Sequence, residues 1–347
     1  MKKTYAKLHC CPSCRAANLD LSVGSESTAD DIVEGSLQCA NCHSTFPIRN
    51  GLPRFVPASN YAESFGFQWN LHARTQLDSH SGLPISHNRL WTAVGGKSDL
   101  TGQQVLEAGS GAGRFTEVLV ASGANVVSFD YSTAVDANAN NQKTKAPTNL
   151  HLFQGDIFNI PLHEASFDKV ICLGVIQHTP DPERAFRSLA RYVRPGGQLV
   201  VDIYAGNPVA WLHWKYFLRP ITRRIKKETL YRLVEIVTPP LVPVARFFRR
   251  VAGRAGARLV PIIEYSHLGL PEKLNVQWAI LDTFDMYSPA HDHPQTLESV
   301  TRWFREEGFA DLDIRRGLNG IVGAGRRPMA NDTHVNLGHP AAASVSR

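Results

Sequence analysis

Residues 105–119 read VLEAGSGAGRFTEVL, and the three glycines spaced two apart decide how the rest of the chain is read. Val105 and Leu106 are an apolar pair, Glu107 follows, Gly109, Gly111 and Gly113 make the loop, and a helical pattern runs through and beyond Arg114. Glycine tolerates positive φ and lets the backbone approach a ligand closely. In open α/β sheets such loops lie at the carboxyl ends of strands, near the point where strand order reverses. The surrounding sequence supplies that sheet. QVLEAG (104–109), NVVSFDYS (125–132), LHLFQGDI (150–157), FDKVICLGVI (167–176) and QLVVDIY (198–204) read as strands. GRFTEVLVASG (113–123) and DPERAFRSLARYVRPGG (181–197) read as helices, the second with Pro182 in its first turn and a stop at Pro195-Gly196-Gly197. Strands alternating with helices predict βαβ units and a doubly wound, mostly parallel sheet. Thr296 caps a later helix (296–308), and ADLDIRR and GIVGAGRR complete seven strands.

The loop's ligand follows from its neighbours. A dinucleotide fingerprint needs its third glycine at position 114, which is Arg114, and a phosphate loop needs a G-K-[ST] that is absent. Glu107 would repel a pyrophosphate but suits the cationic amino-acid end of S-adenosylmethionine. Asp130 closes the second strand, where it can accept from ribose hydroxyls. Asp156 follows the third, within reach of an adenine amino group, with Ile157 beside the ring.

VLEAGSGAGRFT, SFDYS, QGDI and FDKVICLGVIQHTPDPERAFRSLARYVRPGGQLVV together resemble the ordered motifs of class I S-adenosylmethionine-dependent methyltransferases of the small-molecule type. The resemblance is dense over 101–204 and loose over 295–327. It implies an α/β Rossmann-like fold and a cofactor site at Glu107, Gly109, Gly111, Gly113, Asp130, Tyr131, Asp156, Ile157, Leu173 and Gly174. It also turns Gln177 and His178 toward the acceptor, His178 being either a general base near neutral pH or a residue that fixes the loop. The strand-four loop reads LGVIQHTPD, without the [ND]-P-P-[YF] usual in enzymes that methylate base amines. DMYSPAHDHPQT (285–296) clusters Tyr287, His291, Asp292 and His293, and adds them as acceptor-pocket candidates. FGFQWNLHARTQLDS resembles the helices that cover the cofactor in this superfamily, with Phe65, Phe67 and Trp69 either shielding the sulfonium or packing on the sheet.

Five of the six cysteines fall in the first 42 residues. Cys11-x-x-Cys14 and Cys39-x-x-Cys42 are two knuckles that together suit tetrahedral zinc, Cys10 competing with Cys11. The segment LQCANCHSTFPIRNGLPRF resembles a short zinc ribbon, with Asn50-Gly51 as a turn. Cys172, mid-strand, reads as core.

No apolar stretch follows Lys2 and Lys3, and no run of about 18 apolar residues occurs, so neither a signal peptide nor a spanning helix is expected and a reducing cytoplasm is. The net charge of +6 is modest, but residues 211–262 hold twelve Lys and Arg against Glu228 and Glu235. Basic amphipathic helices of this kind form a lid, contact an anionic membrane, or bind RNA. The expected organisation is a zinc ribbon over 1–57, a helical cap over 58–100, a methyltransferase domain over 101–327 with a helical insertion at 205–294, and a disordered tail over 328–347. The expected activity is methyl transfer to oxygen or carbon of a small-molecule acceptor, such as a sugar or lipid-linked compound. RNA methylation and non-catalytic cofactor binding are the alternatives.

Overall fold

The computed structural model describes residues 1–57, 59–96, 98–206 and 214–329; of the expected tail, everything from residue 330 lies outside the described residues. Four antiparallel strands open the chain: β1 (Leu19–Glu26), β2 (Ile32–Cys39), β3 (Thr45–Arg49) and β4 (Leu52–Pro53), in that spatial order. Arg49 pairs with Leu52 across Asn50-Gly51, whose φ values of 52° and 75° make the two-residue hairpin that Asn-Gly favours.

Three helices follow, α1 (Glu63–Leu71), α2 (Asp78–Ser81) and α3 (Ile85–Val94). The central sheet is then laid down by β5 (Gln104–Ala108), α4 (Thr116–Ala121), β6 (Asn125–Asp130), α5 (Ala134–Lys143), β7 (Leu150–Gln154), β8 (Phe167–Leu173), α6 (Pro182–Ala190) and β9 (Val193–Ile203). After α7 (Trp214–Thr222), α8 (Lys227–Ala257) and α9 (Glu272–Tyr287), the chain returns through α10 (Leu297–Glu306), β10 (Ala310–Arg316) and β11 (Ile321–Arg326). The strand order is β10-β11-β9-β8-β5-β6-β7. β5 to β9 run parallel, while β11 is antiparallel to both β9 and β10. The order reverses between β5 and β8, so the glycine loop after β5 stands at the switch point.

Central strands buried on both faces are nearly all apolar. Leu106, Val170, Cys172, Leu199 and Val201 are fully buried and pack with Phe186, Trp303 and Phe304 of α6 and α10 on one face. Val105, Ile171 and Val200 meet Leu90, Leu119 and Val322 on the other. Thr296 caps α10 with Ser299 in a reciprocal capping box.

Two helices are shorter than the sequence pattern predicts. Glycines at positive φ hold 109–113 as a loop, so α4 begins only at Thr116. α6 ends at Ala190 because Val193 already pairs with Phe167; Pro195-Gly196-Gly197 then forms an irregularity inside β9 instead of a helix stop. A Cβ on Gly197 would lie 2.9 Å from the Phe167 carbonyl oxygen, which explains the small residue there.

Candidate active site

The glycine loop is pinned from below and behind. A Cβ on Gly109 would meet Val175 at 2.3 Å, and one on Gly113 would meet Asn138 at 2.2 Å, at φ values of 79° and 93°. Neither position admits a side chain. The Trp69 ring covers Gly111 from α1.

Glu107 lies beneath the loop, only 3% exposed. One oxygen accepts from Thr116 Oγ1 (2.6 Å) and Ser128 Oγ (2.7 Å), and the other has no partner. Burial pushes this carboxyl up to about 7. A buried acceptor without a donor is costly, and a cationic ligand end would satisfy it. Asp130, at the end of β6, accepts from Gly111 N (2.9 Å), Ser132 N (2.8 Å) and Ser132 Oγ (2.7 Å). Its carboxylate thus ties the loop to the second strand, and burial raises its ionisation above the ordinary range.

Beside Asp130 the rings of Tyr131 and Tyr61 pack at 4.7 Å, with Tyr61 also edge-on to His291 at 5.4 Å. Burial and the charges of Asp156 and Asp130 hold the Tyr61 phenol protonated. Asp156 accepts from Phe158 N (2.9 Å), and Ile157 is buried next to it. Leu173 is buried at the end of β8, and Gly174 N donates to the Asp202 carbonyl (2.8 Å). The ten expected cofactor residues thus collect along the carboxyl edge of β5, β6, β7 and β8.

The acceptor candidates divide. Gln177 is fully buried with neither amide atom paired, and its carbonyl accepts from His293 N (2.8 Å). His178 Nδ1 faces the His291 carbonyl at 3.1 Å. A carbonyl only accepts, so Nδ1 carries the proton and Nε2 is the free lone pair. Burial drops His178 to about 4, which keeps it neutral at pH 7 and makes it a weaker base than the near-neutral one expected from sequence. The His291 and His293 rings stack at 5.8 Å. Tyr287 stands apart: its ring is buried against Leu230 and Val234 of α8 and its hydroxyl donates to the Pro261 carbonyl (2.8 Å). Of the aromatic cap, Phe65 packs on His178 (5.0 Å), whereas Phe67 packs on Tyr231 and Phe284.

Several further polar residues complete this side, all but Asp292, Arg114, Lys215 and Arg219 unremarked in the sequence. Arg89 of α3 donates twice to one oxygen of Asp202, at 3.0 and 2.8 Å, beneath Gly174. Tyr204, just past β9, sets its ring edge-on to His178 at 5.3 Å with the Lys215 ammonium 5.4 Å from its centre. Arg114 donates to Ser86 Oγ and Gln76, and Gln76 donates to Asp282, which also accepts from Tyr265. Asp285 accepts from Gln68 (3.1 Å). Asp292 pairs with Lys215 (2.8 Å) and Arg219 (2.7 Å). Asp282 and Asp285 keep some solvent exposure inside this assembly, and burial pushes each up to about 6. The signal that could have revealed them is AILDTFDMY: two acids three apart in an apolar helix share one face.

Residues 106–201 match the family described as Methyltransferase domain. This stretch is a methyltransferase domain. Residues 8–51 match the family described as Trm112p-like protein. Over 114 residues the chain is 31% identical to the ubiquinone biosynthesis O-methyltransferase of Coxiella burnetii, covering 33% of this chain and 49% of that one. Over 116 residues it is 33% identical to the enzyme of the same name from Pseudomonas fluorescens, covering 33% and 50%. The chain therefore spans about half the length of the curated relatives it matches. Among solved structures, phosphoethanolamine N-methyltransferase 2 of Haemonchus contortus with S-adenosyl-L-methionine aligns at a TM-score of 0.43 and 15% identity over 78% of this chain and 48% of that one. The complex of the Haloferax volcanii Trm112 methyltransferase activator with a methyltransferase aligns at 0.44 and 13%, over 77% and 98%.

The chain just after the Trm112p-like segment is fastened to the sheet edge of the methyltransferase domain. Arg54 bridges Gln154 of β7 in parallel register, Phe55 N donates to the Gln154 carbonyl (2.9 Å), and Arg54 pairs with Asp136 of α5. Within the Trm112p-like segment, the Sγ atoms of Cys11, Cys14, Cys39 and Cys42 all lie within 4.8 Å of one another. Four thiolates so gathered fit one tetrahedral zinc ion. Cys10 points the other way and donates to the Leu162 carbonyl (3.1 Å). Cys172 is fully buried among apolar neighbours, as expected of a core residue.

Proposed function

We propose that the protein transfers a methyl group from S-adenosylmethionine to an oxygen or carbon atom of a small-molecule acceptor, a sugar or lipid-linked compound being the leading class. The observation that carries this reading is the meeting, at one sheet edge, of a side-chain-free glycine loop with an unpaired buried carboxylate oxygen at Glu107. When bound, S-adenosylmethionine supplies a methyl on a sulfonium sulfur, displaced in line by the acceptor. Glu107 would face the amino-acid end, Asp130 the ribose, and Asp156 with Ile157 and Tyr131 the base; Gly109, Gly111, Gly113, Leu173 and Gly174 would shape the floor.

On the acceptor side Gln177, His178, His291 and His293 would line the opening, and Tyr287 would support it from behind. Nε2 of His178 and the carboxylates of Asp282 and Asp285 can take the proton of an acceptor hydroxyl, and Asp282 is already engaged by Gln76 and Tyr265. Near pH 7 Asp285 is both ionised and the stronger base, so it is assigned that role and His178 the positioning of the loop. The curated relatives are named O-methyltransferases, which supports oxygen as the receiving atom.

RNA is the second reading, and the excess of basic residues over 211–262 favours it. The ring- and carboxylate-lined acceptor side favours a small neutral or cationic compound over a polyanion. Incubation with methyl-labelled cofactor and fractionated cell extract separates the readings. Label in the small-molecule or lipid fraction is expected; label confined to RNA would replace this proposal with the second, and tight cofactor binding without transfer to any fraction would leave a non-catalytic role. No helix among the described residues is long and apolar enough to cross a membrane; action in the cytoplasm is part of this proposal.

A further inference from the structure

α8 is apolar on two sides, and only one of them is covered. Leu230, Val234, Val242 and Ala245 are buried against Ala279, Ile280 and Phe284 of α9 and against Val260 and Ile262. Leu233, Ile236, Val237, Val244, Phe247 and Val251 form a second stripe. At 100° per residue they fall within about 50° of one direction, and over 18 residues, across Pro239, Pro240 and Pro243 within the helix, they run for about 27 Å. Ile236, Phe247 and Val251 are 73%, 61% and 69% exposed. A polar coat would be the ordinary choice for such a face, and a contiguous apolar one marks an interaction site.

The charge around the stripe says what it meets. Arg232 and Arg250 line one edge of it, and Glu228 and Glu235 lie farther round the helix by the same repeat. Arg223, Arg224, Lys226 and Arg258 stand exposed at the two ends of the helix. The basic residues that the fold does use for ion pairs are others: Lys227 with Glu63, Arg246 with Glu272 and Arg249 with Glu264. α7 repeats the arrangement on a smaller scale. Phe217 and Ile221 are exposed, while Lys215 and Arg219 of the same helix turn inward to Asp292 beside the acceptor side. Trp214 Nε1 donates to the Leu259 carbonyl (3.2 Å), which sets the start of α7 beside the end of α8.

We propose that the exposed apolar stripe of α8, with its basic flanks and the outer face of α7, docks the protein on an anionic lipid bilayer and presents the acceptor side to a membrane-resident substrate. A long apolar stripe beside basic side chains is the pattern of a helix lying in the headgroup plane. Anionic headgroups attract the arginines and lysines within a Debye length. RNA would answer the charge but leave Ile236, Phe247 and Val251 in water. The substrate class rests on the methyl-transfer reading above; the docking itself does not.

The test is flotation of the full chain with vesicles of phosphatidylcholine alone or containing phosphatidylglycerol, alongside calorimetric titration with S-adenosylmethionine. Co-flotation with the anionic vesicles, weakened by salt and at least about tenfold weaker on the neutral ones, is expected. The double variant I236E/F247E, altered only at exposed positions, should lose about tenfold or more in vesicle affinity with cofactor affinity unchanged. Four outcomes would overturn the docking: no anionic flotation, flotation that ignores the double variant, a self-associating chain that the double variant renders monomeric, or RNA binding that outcompetes vesicles. Flotation as expected with no cofactor binding would instead sink the methyl-transfer reading and leave the docking standing.

Discussion

The Nε2 atoms of His9 and His151 lie 2.8 Å apart in a site closed to solvent, joining the Trm112p-like segment to β7 of the methyltransferase domain. His9 Nδ1 faces the Pro161 carbonyl at 3.0 Å, so that nitrogen carries the proton. His9 Nε2 therefore accepts and His151 Nε2 donates, with both rings neutral. A proton added to His9 would fall on Nε2 and set two donors against each other, and one added to His151 would leave a charge in a site closed to solvent.

This pair makes stability depend on acid. Burial pushes His9 down to about 4 and His151 well below its ordinary value. The unfolded chain, with histidines near 6.5, binds protons first as pH falls, so stability is full above about 6.5 and lost progressively toward 4. His9 alone accounts for roughly 3 kcal/mol across that window. Urea unfolding from pH 7.5 to 5 should show the fall, and the double variant His9→Gln/His151→Gln should flatten it. His72 and His178, also near 4, keep part of the slope. An unchanged slope in the double variant would show that the pair does not titrate as described.

The glycine loop gives a sharper contrast. Gly109→Ala puts a methyl against Val175 in a left-handed backbone, whereas Gly102→Ala has nearly the same φ and open space around it. The Gly102 change should cost about 1 kcal/mol of stability and leave cofactor binding alone. The Gly109 change should cost about 1–3 kcal/mol in strain and weaken S-adenosylmethionine binding by roughly tenfold or more, read by calorimetry. Equal affinities would mean that the loop does not hold the cofactor.

Metal analysis should find one zinc ion per chain, removed by Cys39→Ser and kept by Cys10→Ser, because Cys10 turns its thiol to Leu162. A stably folded, zinc-free protein would overturn the tetrahedral site.

Once an acceptor is in hand, the rate should fall as pH drops through about 6, where Asp285 takes up its proton. Asp285→Asn should lower kcat about a hundredfold and abolish that acidic limb while leaving cofactor affinity intact. A variant that keeps the limb would move the base to another group, Nε2 of His178 or the carboxylate of Asp282.

Much of the central sheet was legible because its signals are local. ADLDIRR is β10 residue for residue, Thr296 caps α10, and Asn50-Gly51 makes the hairpin its chemistry demands. The cysteine knuckles were legible for the same reason, since ligand type and spacing are written along the chain. The acceptor side was not. Arg89 meets Asp202 across 113 residues, Gln76 meets Asp282 across 206 and Gln68 meets Asp285 across 217. Such pairs exist only after helices from both ends of the chain close over the sheet. The packing of Tyr287 on α8 was hidden on the same account: proximity in sequence to His291 says nothing of the side of α9 on which its ring falls. Pro195-Gly196-Gly197 misled because a helix stop and a strand irregularity use the same residues.

The clasp between Arg54 and Gln154 has a consequence for cutting the chain in two. β7 is the last strand of its sheet, and a last strand offers unsatisfied amides and carbonyls to any passing chain. Here the 1–57 segment occupies that margin, with Phe55 and His9 edge-on to Phe153, His9 also edge-on to His151, and Phe46 packed behind Phe55. Expressed without it, the remaining polypeptide would bare aromatic rings beside an open strand and tend to precipitate. On that outcome the small cysteine-rich segment would serve its larger neighbour as a permanently tethered solubiliser.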